Sequence, residues 1–457
     1  TAWWPYTAGE TTPPAVKVKA NQSTQKDFEG SDLIVADGQT VTYGSPTLRF
    51  THRTARVTIV LTDYTEGLAS VRLTGLSTEG DNPAEITPYD KGSNTYIAIV
   101  APQNVAAGTT FITCTFTNGK TFVYKMKNAT DWQAGGEYTY TVSLAAAKDL
   151  GYTIESDGSY TVTSADGLMN VAELVNGGKT DINITLDKNI DLTGKDWTPI
   201  GTNYDNSYKG TFDGGGHTIT GLTVTTYDKY AGLFGWLNSA GTVKNVVMEG
   251  VQITNNHSSG FAGGVVGNSW GTIENCSVSG SVNGEVYVGG VVGKQTSGSM
   301  TGCSSSATVK GTVNVGGVAG ESWGSMTACY ATGNVTLEIY PGKDISGGGV
   351  VGFKGGNSVL ACYATGNVNS KGSSTGNVHI GGLFGYKYAT AIACYWKNNK
   401  EQGIGYNKEG IVTEATKVDG TDVTWQKAVD AMNTALQNAG SEWRYELKGA
   451  LPTLRKQ

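Results

Sequence analysis

Five of the six cysteines stand at similar intervals in the second half of the chain, and they are Cys276, Cys303, Cys329, Cys362 and Cys394. No CxxC pair occurs, so the spacing supports neither a zinc ribbon nor a thioredoxin-type redox site. In stacked repeats these thiols would form a column whose Cα separations permit disulfides. Because five is odd and a buried thiol packs as a small apolar group, we expect a reduced structural ladder. One or two vertical disulfides, or a column of bound metal, are the alternatives.

Carboxylates are scarce where an active site would be expected. Glycoside hydrolysis usually needs two carboxylates about 5–10 Å apart. Between residues 231 and 400 the acidic residues are Glu249, Glu274, Glu285, Glu321, Glu338 and Asp344. Glu249 and Glu274 fall near equivalent places in adjacent repeats and could stack. No arginine lies between Arg72 and Arg444, so a guanidinium clamp for acidic sugars is missing there. We predict no catalytic residue and no enzymatic activity; the alternative is an enzyme acting on neutral polysaccharide.

The four histidines add no catalytic pattern. We expect His52 to pack within a strand, His217 to cap a glycine-rich turn, and His257 and His379 to be solvated in or beside loops. HExxH, GxSxG, Walker and EF-hand spacings are absent from the sequence. The sequence therefore predicts neither a metal site nor a cofactor.

A set of aromatic residues follows a series of glycine-rich blocks, and it comprises Trp236, Trp270, Trp323, Phe353, Tyr386 and Tyr388. Exposed in line on one face, such rings could stack on sugars or anchor a protein partner. The alternative is that each ring packs over the corner of the coil beneath it. The candidate ligand-binding residues are Trp236, Trp270, Trp323, Tyr386 and Tyr287.

Those glycine blocks are internal repeats of the type Gly263-Gly-Val-Val-Gly267, and their equivalent glycines lie 26 to 33 residues apart. Each block is followed by a second signature such as Ala328-Cys-Tyr-Ala-Thr-Gly-Asn-Val335. One such unit is too small to bury an apolar face alone, so the units must stack. Strands in register at about 4.8 Å predict a parallel, right-handed β-solenoid. Its valines would point inward, and its glycines would allow tight corners.

The longer repeats carry their extra residues at one place, near Thr254–Gly260, Glu338–Ser346 and Ser370–Val378. Stacking would put these insertions on one edge and leave a notch near Asn283–Tyr287 and Lys310–Asn314. Repeat proteins often bind on the face that carries their insertions. Loop variation without a function is the alternative.

The blocks and the signature after them resemble the GLUG repeat of bacterial surface proteins, in six copies over residues 231–400. Residues 148–230 contain a predicted amphipathic helix over 164–177, with Ser164 as its N-cap, followed by opening coils. A second helix is predicted from Thr424 to Ala439, with a closing strand pair after it. We expect the two helices to cap the two ends of the solenoid, the second within residues 401–457.

The first 147 residues differ from the repeats in their sequence motifs. Phe28–Ala36, Leu48–Val60 and Ala134–Leu144 resemble the fimbrillin-like domain of Gram-negative anaerobes, a family that implies a β-sandwich of pilus-type and surface lipoproteins. Ala2–Tyr6 is similar to an interior part of that domain, so its first strands, a leader and any lipid-bearing cysteine are expected before this sequence. Ala145–Asp149 is the predicted linker.

The chain is mildly acidic, with 33 Lys+Arg against 39 Asp+Glu, which disfavours nucleic acid or an anionic membrane as a partner. We therefore predict an all-β protein, a sandwich followed by a parallel β-helix with short helical caps, exported to the Gram-negative cell surface or outer membrane. Its expected role is adhesion, with a surface glycan or protein as partner, the sandwich as anchor or assembly module, and membrane contact only through a lipid anchor outside this chain. The remaining alternative is a fimbrial tip subunit that joins other subunits by strand donation.

Overall fold

The computed structural model describes residues 1–6, 8–117, 121–145, 150–373, 375–408 and 413–457. The chain divides into two compact units, Thr1–Asp149 and Leu150–Gln457. The predicted linker falls at this division, and its residues 146–149 lie outside the described part. Within the described residues, no helix has the length and apolarity needed to cross a membrane.

The first unit is built from short strands that share one apolar core, which includes Val57, Val71, Phe111 and Val142. Two small sheets are antiparallel. One contains Ala2–Trp4, Ile34–Ala36 and Thr51–His52, and the other contains Gln103–Val105 and Thr130–Trp132. A three-stranded sheet has the order Thr121–Lys125, Thr110–Phe116, Leu68–Leu73, and a four-stranded sheet has the order Glu137–Ser143, Ala55–Thr62, Thr95–Val100, Tyr89–Gly92. Helix α1, Gln25–Glu29, and a 3-10 turn, Glu79–Asp81, complete the unit. Strand Ala55–Thr62 alternates buried with more exposed residues, as expected when one face of a sheet covers a core.

The second unit is a parallel β-solenoid with three sheets, which confirms the predicted fold class. The first sheet contains Tyr152–Ile154, Tyr160–Val162, Ile184–Leu186, Ile190–Asp191, Thr211–Asp213, Thr218–Thr220, Thr223–Thr226, Thr242–Lys244, Val247–Asn255, Thr272–Glu274, Ser277–Asn283, Ser299–Thr301, Ser304–Ser305, Thr308–Gly311, Ser325–Thr327, Tyr330–Ala331, Val335–Ile339, Val359–Leu360, Tyr363–Ala364, Val368–Gly372, Ala391–Trp396 and Thr413–Lys417. The second sheet contains Tyr230–Ala231, Phe261–Gly263, Tyr287–Gly289, Asn314–Gly316, Ile345–Gly348 and Val378–Gly381. The third sheet contains Phe234–Leu237, Val266–Ser269, Val292–Gln295, Ala319–Ser322, Val351–Lys354, Phe384–Lys387 and Ile404–Asn407. Its last strand extends the solenoid beyond the predicted end at residue 400.

The glycine blocks form the corners between the second and third sheets. We predicted glycine there for tight turning, and the structure adds a second reason. A Cβ atom on Gly290 would lie 2.0 Å from the Ser305 hydroxyl and 2.3 Å from the carbonyl oxygen of Gly317 in the next coil. The close approach of successive coils therefore excludes a side chain at this corner.

A different corner, just before each ladder cysteine and before Val246 in the preceding coil, has left-handed backbone. It is occupied by Asn245, Asn275, Gly302, Ala328, Ala361 and Ala393, with φ between 50° and 66°. Asparagine tolerates this conformation, and the Asn275 amide donates to Asn245 at 2.9 Å along the column. In the later coils the asparagine is replaced by glycine or alanine because another part of the chain covers these corners.

That covering part is the C-terminal helix α3, Trp425–Asn438, with the hairpin Trp443–Lys448 and Leu451–Lys456. The helix begins at its Thr424 cap as predicted, but its position corrects the prediction of a plug at the far end. Apolar residues of α3 share a core with the alanine corners, and the Tyr445 hydroxyl donates to the Ala361 carbonyl at 2.9 Å. The helix lies along the side of the solenoid because the small corner residues give its apolar stripe a surface to cover.

The other predicted cap is found at the N-terminal end. Helix α2, Ala165–Asn176, is capped by the Ser164 hydroxyl, which accepts from the Gly167 amide. Its residues Leu168, Val171 and Val175 join the interior core of the solenoid. The helix therefore covers the apolar end of the first coils.

All six cysteines are free, buried thiols in the structure. Each ladder thiol donates to the carbonyl two residues earlier, at Sγ–O distances of 3.3–3.5 Å. Burial raises the pKa of Cys394 to about 12 and that of Cys362 well above its usual value. These two thiols therefore stay protonated and unreactive near neutral pH.

Candidate functional site

Two columns of side chains meet on the outside of the corner between the second and third sheets. In five coils the paired residues are seven positions apart, and the pairs are Phe261/Asn268, Tyr287/Lys294, Asn314/Glu321, Ser346/Phe353 and His379/Tyr386. In three of these pairs the side chains are in contact: the Lys294 ammonium lies 4.8 Å from the Tyr287 ring centre, the Asn314 amide donates to Glu321 at 2.8 Å, and the His379 and Tyr386 ring centres are 5.1 Å apart. Because the register repeats, the two columns define a line along the solenoid axis.

In the last four coils this line becomes an aromatic column. The ring centres of Trp323, Phe353, Tyr386 and Tyr406 follow one another at 5.7, 5.2 and 4.4 Å. The ring planes of Phe353 and Tyr386 are almost parallel, at 7°, and those of Tyr386 and Tyr406 are at 18°. Phe353 and Tyr386 therefore use ring faces on their neighbours in the column, whereas Tyr406 at its end is 41% exposed.

Trp323 begins the column and is 42% exposed, close to the 41% of Tyr406 at its other end. Its indole nitrogen donates to Glu321 Oε1 at 2.7 Å, and Glu321 also pairs with the Lys294 ammonium at 2.8 Å. The indole lies over Gly355, where a Cβ atom would come within 2.8 Å of the ring. Glycine at 355 and the buried carboxylate of Glu321 thus hold the indole in one orientation.

The turn that carries Trp323 is held from inside by Lys354, which is fully buried. Its ammonium donates to the carbonyl oxygens of Ser322, Gly324 and Gly355 at 3.3, 2.7 and 2.7 Å. Burial lowers the pKa of Lys354 to about 7. Two of the three acceptors flank Trp323 directly, so Lys354 fixes the backbone on both sides of the indole.

The wall opposite the aromatic column comes from the two inserted loops of the last long repeats. The Asp344 carboxylate accepts a hydrogen bond from the backbone N–H of Asn377 at 2.9 Å. Both residues, together with the aromatic column, line a groove of about 940 Å³. Asn314, from the predicted notch, lines the end of the groove nearest Trp323. The aromatic set and two of the insertions, treated separately in the sequence, form one site here. We call it the aromatic groove.

The charges of the aromatic groove are nearly balanced. Burial lowers the pKa of His379, so its ring is neutral at pH 7. The Tyr386 hydroxyl donates to Tyr388 at 3.0 Å, and the Lys408 ammonium lies 4.8 Å from the Tyr388 ring centre. Amides, hydroxyls, a neutral imidazole and one accessible indole face are groups that suit a hydroxyl-rich ligand.

The structure does not bring all the predicted binding residues together. Trp323 and Tyr386 lie in the aromatic groove, as do Phe353 and Tyr388. Trp236 and Trp270 lie in a separate cluster, in coils nearer the N-terminus. Their ring centres are 6.0 Å apart, and both rings contact Tyr204. Tyr287 stacks on Phe261 at 4.7 Å and has Lys294 over its ring. The expected single line of rings is thus divided, because Asn268, Lys294 and Glu321 occupy the intervening coils of the third sheet.

The geometry also corrects the suggested carboxylate stack. Glu274 pairs in register with Lys244 and Thr301 and binds Lys456 at 2.9 Å, whereas Glu249 lies beside Thr220. The two carboxylates belong to different columns of the first sheet, because Glu249 follows the Asn245 corner. Among the described residues that line the aromatic groove, Asp344 is the one carboxylate.

Two histidines differ from their predicted surroundings. His379 is half-buried between Tyr386 and Tyr406 instead of solvated, since the inserted loop before it returns the chain to the second sheet. His52 is exposed at the end of its strand and hydrogen-bonds Asp32 at 2.8 Å instead of packing in the sandwich core.

The sequence placed Asn314 in the predicted notch, whereas neither His379 nor Glu321 was predicted as a binding residue. The signal that could have identified them is the pair of positions, seven residues apart, that flanks each glycine block. Aromatic residues occupy the first position in the early coils and the second in the later coils. Aromatic residues alone therefore do not identify the polar member of each pair.

Comparison with known proteins agrees with this organisation. Residues 1–156 match the model of the family described as fimbrillin-like, and residues 260–283 and 284–310 match the GLUG motif. A solved structure from Bacteroides ovatus, provisionally named an immunoglobulin A1 protease, is similar with a TM-score of 0.50 and 18% identity, over 66% of this chain and 93% of its own. At that identity the similarity concerns the fold alone.

Two curated relatives are similar over about a quarter of the chain. Halomucin from Haloquadratum walsbyi is 42% identical over 123 residues, and a provisionally named Gly-rich membrane protein from Evansella cellulosilytica is 34% identical over 129 residues. The chain spans 1% and 14% of the lengths of these relatives. The first unit belongs to the fimbrillin-like family, whose match extends over residues 1–156, the solenoid carries GLUG motifs, and the chain therefore has the organisation of a surface or fimbrial protein.

Proposed function

We propose that the protein is an adhesin that binds a glycan in the aromatic groove. The observation that carries the proposal is the groove itself, in which a fixed, accessible indole shares the lining with amide, hydroxyl and imidazole groups. Stacking of an aromatic face on the apolar face of a sugar, with hydrogen bonds to its hydroxyls, uses both kinds of surface.

The fimbrillin-like domain would act as the anchor or assembly module at the outer membrane of a Gram-negative cell. The solenoid would then hold the aromatic groove away from the membrane on a rigid support. Its stiffness follows from continuous ladders between coils, in which each inner strand is hydrogen-bonded on both sides.

We propose binding and not hydrolysis. Retaining and inverting glycosidases generally use a pair of carboxyl groups about 5–10 Å apart. The lining described for the groove supplies Asp344, and the neighbouring Glu321 is committed to Trp323, Asn314 and Lys294. A polysaccharide-cleaving activity would need a second carboxylate that the described lining does not offer.

Replacement of the exposed indole tests the proposal on a glycan array. We expect wild-type full-length protein to bind a subset of glycans saturably, and Trp323→Ala to weaken that binding about tenfold or more, because it removes the accessible stacking face. Tyr204→Ala is the matched control: Tyr204 is an exposed aromatic residue, at 57%, in the other cluster.

Both variants should keep the wild-type circular dichroism spectrum and melting temperature. Equal binding by wild type and Trp323→Ala, or a loss caused equally by Tyr204→Ala, would contradict the assignment of the aromatic groove. An array on which the wild-type protein binds nothing would contradict glycan binding itself.

A further inference from the structure

The aromatic groove has a direction. Its lining begins at Asn314 and Trp323, in the coil that contains strand Ala319–Ser322. It ends at Tyr406, in the coil that contains strand Ile404–Asn407. The rings of its lining follow one another from coil to coil, from Trp323 to Tyr406. A ligand longer than one sugar therefore reaches successive rings by extending along the solenoid axis.

The groove also has a repeat. Successive coils are about 4.8 Å apart, which is close to the length that one pyranose residue adds to an extended glycan. Each of the four coils contributes an aromatic ring and a polar residue to the lining: Trp323 with Asn314, Phe353 with Asp344, Tyr386 with Asn377, and Tyr406 with Lys408. The spacing of these groups along the groove therefore matches the spacing of successive sugars in a linear glycan.

The charge pattern favours a neutral ligand. The charged residues described in the lining are Asp344 and Lys408, whose charges are opposite. Arginine, the side chain best suited to hold a carboxylate in two hydrogen bonds, does not occur between Arg72 and Arg444. A chain of uronic acids would find one ammonium and one repelling carboxylate.

A peptide fits the groove less well. Extended peptides usually bind by adding a strand to an open sheet edge. The floor strands Val351–Lys354 and Phe384–Lys387 are each hydrogen-bonded to a neighbour on both sides, so they leave no backbone groups for a peptide. Side chains alone face the ligand, which suits a chain of hydroxyl groups.

We propose that the ligand is a neutral, linear glycan that lies along the solenoid axis and places one sugar residue on each of four successive coils, from Trp323 to Tyr406. This inference rests on the proposed function and adds the charge class, the shape and the orientation of the ligand. The sugar at Trp323 stacks on the indole, and the following sugars bind the polar edges of the later coils.

The test is isothermal titration calorimetry of the full-length protein with oligosaccharides of two to six residues from cellulose, mannan and xylan, and with a matched galacturonic acid series. We expect affinity for at least one neutral series to rise about tenfold or more between two and four residues and to change little beyond four. The galacturonic acid series should bind at least about tenfold more weakly at each length.

Two variants locate the ends of the bound chain. Trp323→Ala should weaken binding at every length, whereas Tyr406→Ala should remove the gain from the fourth residue and weaken disaccharide binding less than Trp323→Ala does. Unchanged melting temperatures would show that both variants are folded.

Equal affinity for two and four residues, stronger binding of the acidic series, or binding only to branched glycans on the array would overturn this inference and leave glycan binding intact. An array with no bound glycan would overturn the proposed function as well.

Discussion

Lys354 shows how one buried side chain positions a binding residue on the surface. Its three hydrogen bonds hold carbonyls on both sides of Trp323, and full burial keeps water from replacing them. Three carbonyl acceptors match the three donors of an ammonium group. The same burial disfavours the charge and lowers the pKa of Lys354 to about 7, so this contact is sensitive to pH.

The pH dependence of stability follows from that pKa. In the unfolded chain a lysine releases its proton at about pH 10.4. Between about pH 7 and pH 10 the unfolded chain therefore binds more protons than the folded chain, so raising the pH stabilises the fold. The cost of burying the charge is fully present below pH 7 and is removed as the pH rises. For one fully buried lysine the slope is at most about 1.4 kcal/mol per pH unit.

We expect the free energy of unfolding of the wild-type protein, relative to Lys354→Met, to increase from about pH 7 to about pH 9. Urea unfolding of both proteins at several pH values measures this difference, and the contributions of cysteines and tyrosines cancel in the comparison. A difference that stays constant or falls with pH would show that Lys354 keeps its proton throughout.

At the scale of elements, the residue types at the left-handed corners indicate where α3 and its hairpin lie. Exposed corners carry asparagine, whose side chains form a ladder, whereas covered corners carry glycine or alanine. Alanine in this conformation costs about 1 kcal/mol. That cost is offset because the small side chain lets the C-terminal helix and hairpin approach the coil.

Gly302 offers a direct test of this contact. Its φ is 66°, and a Cβ atom there would lie 2.6 Å from the indole of Trp443 in the hairpin. We expect Gly302→Ala to lower the free energy of unfolding by about 1–3 kcal/mol more than Gly250→Ala does. Gly250 is the matched control, since its φ is 65° and a Cβ atom added there would meet no atom within 4 Å.

Chemical denaturation of the two variants and the wild type measures the difference. Equal losses for Gly302→Ala and Gly250→Ala would mean that only backbone strain matters, and that the hairpin does not rest on this corner in solution.

At the scale of the whole molecule, the repeats predicted the solenoid because the same residue types fill the equivalent buried and corner positions of every coil. The position of α3 could not be predicted from its own hydrophobic pattern. An apolar stripe shows that one face of the helix is buried, but it does not show which part of the protein that face packs against. The alanines at 328 and 361 held that information, but only their backbone angles reveal it.

The binding site was predictable in part for a related reason. Trp323 and Tyr386 were recognised by their aromatic rings, whereas Glu321 and His379 matter through neighbours on another strand. Their role depends on which strand positions face each other across a corner, and that register comes from three-dimensional stacking. Trp236 and Trp270 have the same residue type but lie where intervening polar residues separate them from the groove.

The central claim is that the aromatic groove holds a glycan along the solenoid axis. The most direct measurement is a crystal structure of the full-length protein with the tightest-binding neutral oligosaccharide. We predict a chain of sugars between Asn314 and Lys408, with one sugar on the exposed face of Trp323 and the chain parallel to the axis. A sugar bound at the Trp236 and Trp270 cluster, or one lying across the coils, would contradict that claim.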